Sequence, residues 1–137
     1  CGCMRTFGLD TNVVIRLLTD DDPAQRRAAL KFGAGLGKDH RAFLSLVSVL
    51  ELDWALRARL GFSKREVVAA VGKLLQTRGL IVEHHNLVLK ALRLVDTNNA
   101  DFADCLIACR SLEEGCESIK TFDIKAARAV PGMELLQ

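Results

Sequence analysis

The chain has few aromatic side chains and no tyrosine, so aliphatic residues have to build its interior. Aromatic residues make up 5% of the 137 residues, whereas 50% are hydrophobic. The sequence also lacks an apolar run near the ~18 residues of a transmembrane helix. Its formal net charge of +2 is far from the strongly basic signature of many nucleic-acid-binding proteins, although it does not exclude RNA as a partner. This balance predicts a globular domain of aliphatic helices on a parallel sheet.

The length predicts one domain with a single hydrophobic core. We interpret residues 1–3, Cys-Gly-Cys before Met4, as a tag remnant or an upstream extension, and residues 4–137 as the domain. No secretory signal is visible in the sequence. We therefore expect a soluble, cytoplasmic protein without a membrane anchor.

The five cysteines are odd in number and clustered, which argues against a disulfide framework. Cys105 and Cys109 are four residues apart and share a helix face, so we predict thiols that fill the core in a reducing cytosol. A metal site is the alternative, but it lacks a matching histidine pair. His84 and His85 are adjacent and would point to opposite faces of a strand.

Short apolar runs alternate with longer helical patterns along the whole chain. Predicted strands cover residues 5–9, 42–47, 80–84, 118–122 and 133–136, and predicted helices cover 13–18, 23–32, 48–60, 63–77, 87–95, 102–114 and 124–129. This alternation predicts an α/β fold, a three-layer α/β/α sandwich around a central, mainly parallel sheet of four to five strands.

Two helix starts match the capping-box pattern, in which a serine is followed three residues later by glutamate. Ser48 with Glu51 predicts a helix that begins at Ser48, and Ser63 with Glu66 predicts the start of the next helix. The polar residues 96–101 predict a loop before the helix that begins near residue 102.

Five acidic residues occupy places where strands end or helices begin. Asp10 and Asp123 each follow a predicted buried strand directly, and parallel strands would bring both carboxylates to one edge of the sheet. Asp104 and Glu51 lie in the first turn of helices, and Asp101 precedes Asp104 by three residues. Each acid has an ordinary alternative as an N-cap, a capping-box residue or a partner of the helix dipole.

Carboxylates that cluster in apolar surroundings raise one another's pKa, and a bound divalent cation keeps them ionised. Oxygen ligands without histidine or cysteine favour Mg²⁺ or Mn²⁺ over Zn²⁺, and such ions support hydrolysis of phosphodiesters. Thr11, Asn12 and Thr121 lie beside these acids and are candidates to orient the carboxylates or metal-bound waters, or else serve ordinary turns. Asp53 is two residues from Glu51, on the far side of the helix, and is left out of the site.

Several short motifs, taken in order, resemble the PIN domain, and most closely the VapC-type toxins of prokaryotic toxin–antitoxin pairs. They are Leu9-Asp10-Thr11-Asn12, Glu51 after the second strand, residues 100–108, Thr121-Phe122-Asp123 and residues 126–134.

The resemblance implies a three-layer α/β/α domain with a Mg²⁺- or Mn²⁺-dependent ribonuclease site. It implies that the catalytic acids are Asp10, Glu51, Asp104 and Asp123. For the metal it implies Asp10, Asp104 and Asp123, with Asp101 as an additional acid. Thr121 takes the place of the family's serine or threonine near the last acid. The resemblance also implies a homodimer that is inhibited by a cognate antitoxin.

The leading hypothesis is an endoribonuclease toxin that hydrolyses RNA. One alternative is a PIN-like module without catalysis that dimerises or binds an antitoxin. A second alternative is a phosphohydrolase with Asp10 as a phosphorylated nucleophile. Asn12 stands where such an enzyme would carry its second acid, and no lysine is obviously placed for that chemistry.

Overall fold

The computed structural model describes residues 4–137, so our interpretation of residues 1–3 lies outside the described residues. Strands and helices alternate as predicted. Their bounds are β1 Arg5–Gly8, α1 Thr11–Leu18, α2 Pro23–Ala34, β2 His40–Leu44, α3 Leu46–Ala58, α4 Lys64–Leu75, β3 Leu80–Val82, α5 His85–Asn98, α6 Phe102–Glu113, β4 Ile119–Thr121, α7 Ile124–Ala129 and β5 Met133–Leu135. Within residues 4–137, no helix has the length and apolar character needed to cross a membrane.

All strand pairs are parallel, which confirms the predicted α/β class. β1, β2 and β3 form one sheet in that order, with Phe7 opposite Ala42 and Ala42 opposite Leu80. β4 and β5 form a second parallel sheet, with Ile119 opposite Met133. The carboxyl ends of β1 and β2 share one edge, from which α1 and α3 begin.

The prediction of a single sheet of four to five strands is wrong for the described residues, because β4 does not pair with β1. β4 has only three residues, and it packs with β5, α6 and α7. Alternating elements predict parallel pairing, but they do not specify which strands are neighbours. Because β1 and β4 lie in different sheets, the expectation that they end at one sheet edge is also wrong.

The core is aliphatic, as the composition predicts. α1 packs on α2 and α3, while α5 packs on α4 and α6. Phe102 is the only aromatic side chain among the buried hydrophobic residues of the described chain. Cys105 and Cys109 are buried free thiols, which confirms their predicted role in the core, whereas Cys116 is exposed. Burial raises the pKa of Cys105 to about 11, so this thiol stays protonated at neutral pH.

The predicted capping box at Ser48 is wrong. α3 begins two residues earlier, with Ser45 as its N-cap, and the Ser45 hydroxyl accepts the backbone N–H of Ser48 at 3.1 Å. The carboxylate of Glu83, directly after β3, accepts the N–H of Leu46 at 2.7 Å. Two other residues therefore cap this helix, and the capping alternative for Glu51 no longer applies.

The predicted capping box at Ser63 is confirmed. The Ser63 hydroxyl accepts the N–H of Glu66 at 3.1 Å, and the Glu66 carboxylate accepts the N–H of Ser63 at 2.9 Å. The predicted loop over residues 96–101 is shorter than expected, because α5 continues through Asn98. The helix ends where Asn99 adopts a left-handed conformation with φ of 53°, which asparagine tolerates well.

Candidate active site

Three of the five predicted acids are N-caps of helices. Asp10 caps α1 by accepting the backbone N–H two residues further on at 3.3 Å. Asp101 caps α6 and Asp123 caps α7, and each accepts the N–H three residues further on, at 3.2 Å and 3.0 Å. Such a bond occupies one carboxylate oxygen and leaves the second available in Asp10 and Asp123, so capping by these two acids is compatible with metal binding.

Asp104 is the acid whose environment is most perturbed. It lies in the first turn of α6 and is partly buried. Burial raises the pKa of the Asp104 carboxyl, and the negative charges of Asp101 and Asp123 raise this pKa further. The starts of α6 and α7 therefore bring three predicted site residues into electrostatic contact.

Asp10 and Glu51 are positioned by the first sheet. Asp10 follows β1, and Glu51 lies on the helix that follows the neighbouring strand β2, so both lie toward the same edge of the first sheet. Both residues are exposed to solvent, and neither contributes to the raised pKa of Asp104. The convergence of Asp10 and Glu51 on Asp101, Asp104 and Asp123 stays a prediction.

The three predicted supporting residues differ in their surroundings. The Thr121 hydroxyl accepts the backbone N–H of Asp123 at 3.0 Å and so holds the turn that carries this acid. Thr11 is 4% exposed, at the buried start of α1. Asn12 donates its backbone N–H to Asp10 and is itself exposed.

The donor chemistry of the three acids fits a hard divalent cation. All available ligand atoms are carboxylate oxygens, which suit Mg²⁺ or Mn²⁺. The raised pKa of Asp104 indicates a negative potential that a cation would relieve. Over residues 4–137, however, no three acidic, histidine or cysteine side chains are close enough together to form a ready-made metal site. Holding the ion would require the carboxylates to move together.

Sequence reasoning missed an ion pair beside the site. Asp53 is 1% exposed, and Arg57 donates from Nε and Nη2 to its two carboxylate oxygens at 3.0 Å and 2.9 Å. The same Nη2 lies 3.4 Å from Oδ2 of Asp101. Asp53 lies on a different face of α3 from the exposed Glu51, as predicted. It nevertheless belongs beside the site, because its partner Arg57 also contacts Asp101. An acid and an arginine four residues apart on an apolar helix were the available signal.

A lysine lies close to the acids at the start of α4. The Lys64 ammonium is 3.5 Å from the carbonyl oxygen of Asn99, which directly precedes the loop into α6. Its charge lowers the pKa of the Cys105 thiol, which the carboxylates of Asp101 and Asp104 raise. Besides Arg57, a second positive side chain therefore lies near the acidic group.

Comparisons with known proteins identify the family of the chain. A search among curated proteins found no match. Similar solved structures include VapC20 of Mycobacterium tuberculosis, described as a Sarcin-Ricin loop cleaving toxin, with 19% identity and a TM-score of 0.42 over 87% of this chain and 88% of that one. They also include VapBC2 of Rickettsia felis, bound to a DNA fragment from their promoter, with 16% identity and a TM-score of 0.39 over 96% and 97%. The family model described as PIN domain matches residues 8–130, a span that contains all five candidate acids, and the chain therefore belongs to the PIN domain family.

Proposed function

We propose that the chain is a metal-dependent endoribonuclease that hydrolyses RNA phosphodiester bonds and acts as the toxin of a toxin–antitoxin pair. The observation that carries this proposal is the group of Asp101, Asp104 and Asp123 at the starts of α6 and α7, where burial and then the charges of Asp101 and Asp123 raise the pKa of Asp104. A phosphate anion is repelled from such a group unless a cation neutralises it. These carboxylates, with their negative electrostatic potential, can therefore act on a phosphodiester only when a metal cation is bound.

In this proposal Asp10, Asp104 and Asp123 hold the Mg²⁺ or Mn²⁺ ion with Asp101, and Glu51 completes the catalytic acids. When bound, the ion supplies Lewis-acid activation of the attacking water and of the leaving oxygen. The residues of the chain restrain the carboxylates at their helix starts, and binding of the ion would draw these carboxylates together. Each of the three capping acids has one oxygen fixed by a helix N-terminus.

Two side chains beside the acids have separate proposed tasks. Thr121 orients Asp123 through the N–H that its hydroxyl accepts, and so limits the directions in which that carboxylate turns. Lys64, at the border of the acidic group, contacts a backbone phosphate of the RNA. Thr11 and Asn12 support Asp10 at the start of α1, Asn12 through the backbone N–H that it donates to the Asp10 carboxylate.

The partners in this proposal are an RNA substrate, a cognate antitoxin protein and a second copy of the chain in a cytoplasmic homodimer. The resemblance of the motifs around Asp10, Glu51, Asp104 and Asp123 to VapC-type toxins supports this set. The antitoxin would cover Asp101, Asp104 and Asp123 at the starts of α6 and α7 and so prevent RNA from reaching them.

The decisive experiment is a cleavage assay on total RNA with Mg²⁺ or Mn²⁺, compared with the same assay in excess chelator. We expect specific cleavage by the wild-type chain, none in chelator, and a loss of at least about 100-fold in Asp104→Asn. Glu114→Gln is the matched control, because it removes an exposed carboxylate at the far end of α6. Undiminished cleavage in chelator or by Asp104→Asn would contradict the proposal.

The second candidate function is a PIN module that binds a partner without catalysis. It is favoured by the exposure of Asp10 and Glu51 and by the lack, over residues 4–137, of three side chains close enough together to form a ready-made metal site. Cleavage of RNA by the wild-type chain, lost in Asp104→Asn, would exclude this candidate. Binding of an antitoxin without cleavage under any divalent ion would favour it.

A further inference from the structure

The buried Asp53 forms an ion pair with Arg57, whose side chain is 33% exposed, one helical turn away on α3. Asp53 is almost fully buried, and both of its carboxylate oxygens accept hydrogen bonds from the planar guanidinium. A buried carboxylate is tolerated only when it is paired in this way. The fork geometry also fixes the plane of the arginine, because two bonds to one carboxylate leave it no rotation. Arg57 is therefore a rigid cationic group with a defined position.

This rigid group reaches across to the start of α6. Nη2 of Arg57 lies 3.4 Å from Oδ2 of Asp101, while Oδ1 of Asp101 accepts the backbone N–H of Asp104 at 3.2 Å. Both oxygens of Asp101 are thus engaged, one by α3 and one by α6. No other ion pair in the described part of the chain links α3 to α6.

We propose that Asp53 and Arg57 are positioning residues, which hold Asp101 and thereby fix the first turn of α6 with the Asp104 carboxylate beside Asp123. This inference rests on the proposed ribonuclease function and adds a support for it outside the predicted acids. It assigns Asp101 chiefly to orientation of the site, because both of its oxygens already have partners. Bidentate arginine is suited to this task, whereas lysine would offer a single ammonium without a fork.

The first test measures amide hydrogen exchange at Asp104 by NMR, without metal or RNA. The variant Asp53→Leu/Arg57→Met replaces the ion pair by apolar side chains, so that no buried charge is left unpaired. We expect exchange of the Asp104 amide to accelerate roughly tenfold, since the N-cap loses its support. The Glu66 amide, held by the capping box of α4, should not change and reports on the rest of the fold.

If the double variant fails to fold, Arg57→Lys provides the test. It keeps the positive charge but removes the paired hydrogen bonds from the guanidinium to Asp53. We expect exchange at Asp104 to rise roughly threefold in this variant. The matched control is Arg110→Met, which removes an arginine from an exposed pair with Glu114 on α6. Exchange at Asp104 as slow as in the wild type, in a folded variant of either kind, would overturn the proposal.

The second test asks whether the ion pair acts through Asp101. We expect Asp53→Leu/Arg57→Met to lower kcat roughly tenfold while KM for RNA changes less than about twofold. Asp101→Asn keeps a good N-cap but weakens the contact to Arg57, and we expect the two changes together to lose no more than the larger one alone.

Additive losses would show that the ion pair acts by another route and would overturn the inference. The double variant removes one negative and one positive charge that lie against each other, so it changes the net charge near the acids by zero. An unchanged kcat in this variant would therefore also refute a positioning role. If the wild-type chain cleaves no RNA, the proposed function fails while the exchange result still decides the inference.

Discussion

At the scale of single residues, Asp104 is the side chain whose ionisation opposes folding. Its pKa in the folded chain is above the ordinary value of 3.8, so the folded state binds a proton more tightly than the unfolded state. Protonated Asp104 therefore stabilises the folded state at pH values below 3.8. This stabilisation is lost as the pH rises through the pKa that Asp104 has in the folded chain.

Asp104→Asn should therefore be more stable than the wild type at pH 7 in chelator, and the difference should vanish near pH 3. We expect a gain below about 1 kcal/mol, because the carboxyl is only partly buried and solvent screens it. Urea unfolding of both proteins at the two pH values measures this difference. A variant that is less stable at pH 7, or equally shifted at both pH values, would contradict the assignment.

The residues of the site were predictable from the sequence only as far as local chemistry reaches. Asp10, Asp101 and Asp123 are N-caps, as the residues that follow them indicate. Such a cap is predictable because its hydrogen bond spans only two or three positions. The contact of Arg57 with Asp101 joins distant parts of the chain, and no local pattern encodes it.

At the scale of elements, helix ends depend on side chains that arrive from elsewhere. α1 carries Asp10 at its start, and Arg26 of α2 closes its other end. Nη1 of Arg26 donates to three carbonyl oxygens at 2.7 to 3.3 Å, those of Arg16, Leu17 and Thr19. Glu83 serves the start of α3 in a comparable way, which explains why the sequence pattern at Ser48 misled.

Arg26→Met should lower the free energy of unfolding by about 1–2 kcal/mol, because three carbonyl groups at the end of α1 lose a charged donor. The aliphatic stem is retained, so packing changes little. Arg27→Met, on the exposed neighbouring position, is the control and should change stability by less than about 0.5 kcal/mol. Equal effects in the two variants in urea unfolding would argue against the capping role.

The start of α4 places Lys64 near the acids, and this position predicts a contact with RNA phosphate. In an Asp104→Asn background, for which we expect no cleavage, Lys64→Ala should weaken RNA binding and reduce the slope of log K against log salt by about 0.7. Lys73→Ala removes an exposed lysine at the other end of α4 and serves as the control. A salt slope that is unchanged by Lys64→Ala would exclude this contact.

At the scale of the whole molecule, the order of strands is the part of the fold that the sequence did not predict. Local patterns located every strand and helix to within a few residues, because periodicity and turn residues are local. Which strand lies beside β1 depends on packing across the domain, and β4 pairs with β5 instead. The acids after β1 and after β4 therefore belong to different sheets.

A divalent cation that binds these acids should stabilise the whole domain. We expect millimolar Mg²⁺ to raise the thermal midpoint of the wild type by a few degrees, through preferential binding to the folded state. The same addition should have little effect on Asp104→Asn, and NaCl at equal ionic strength controls for screening. An identical rise in both proteins would place the bound ion away from Asp104.

The buried thiol of Cys105 makes the chain its own reporter of how often α6 opens. With a pKa of about 11, this group forms almost no thiolate at neutral pH, and burial keeps alkylating reagents away from it. Its modification by iodoacetamide, followed site by site with mass spectrometry, therefore proceeds only through molecules in which α6 has separated from its neighbours. A substrate, antitoxin or metal ion that stabilises the start of α6 should therefore lower the rate of Cys105 alkylation. The measurement needs no label or substitution in the protein.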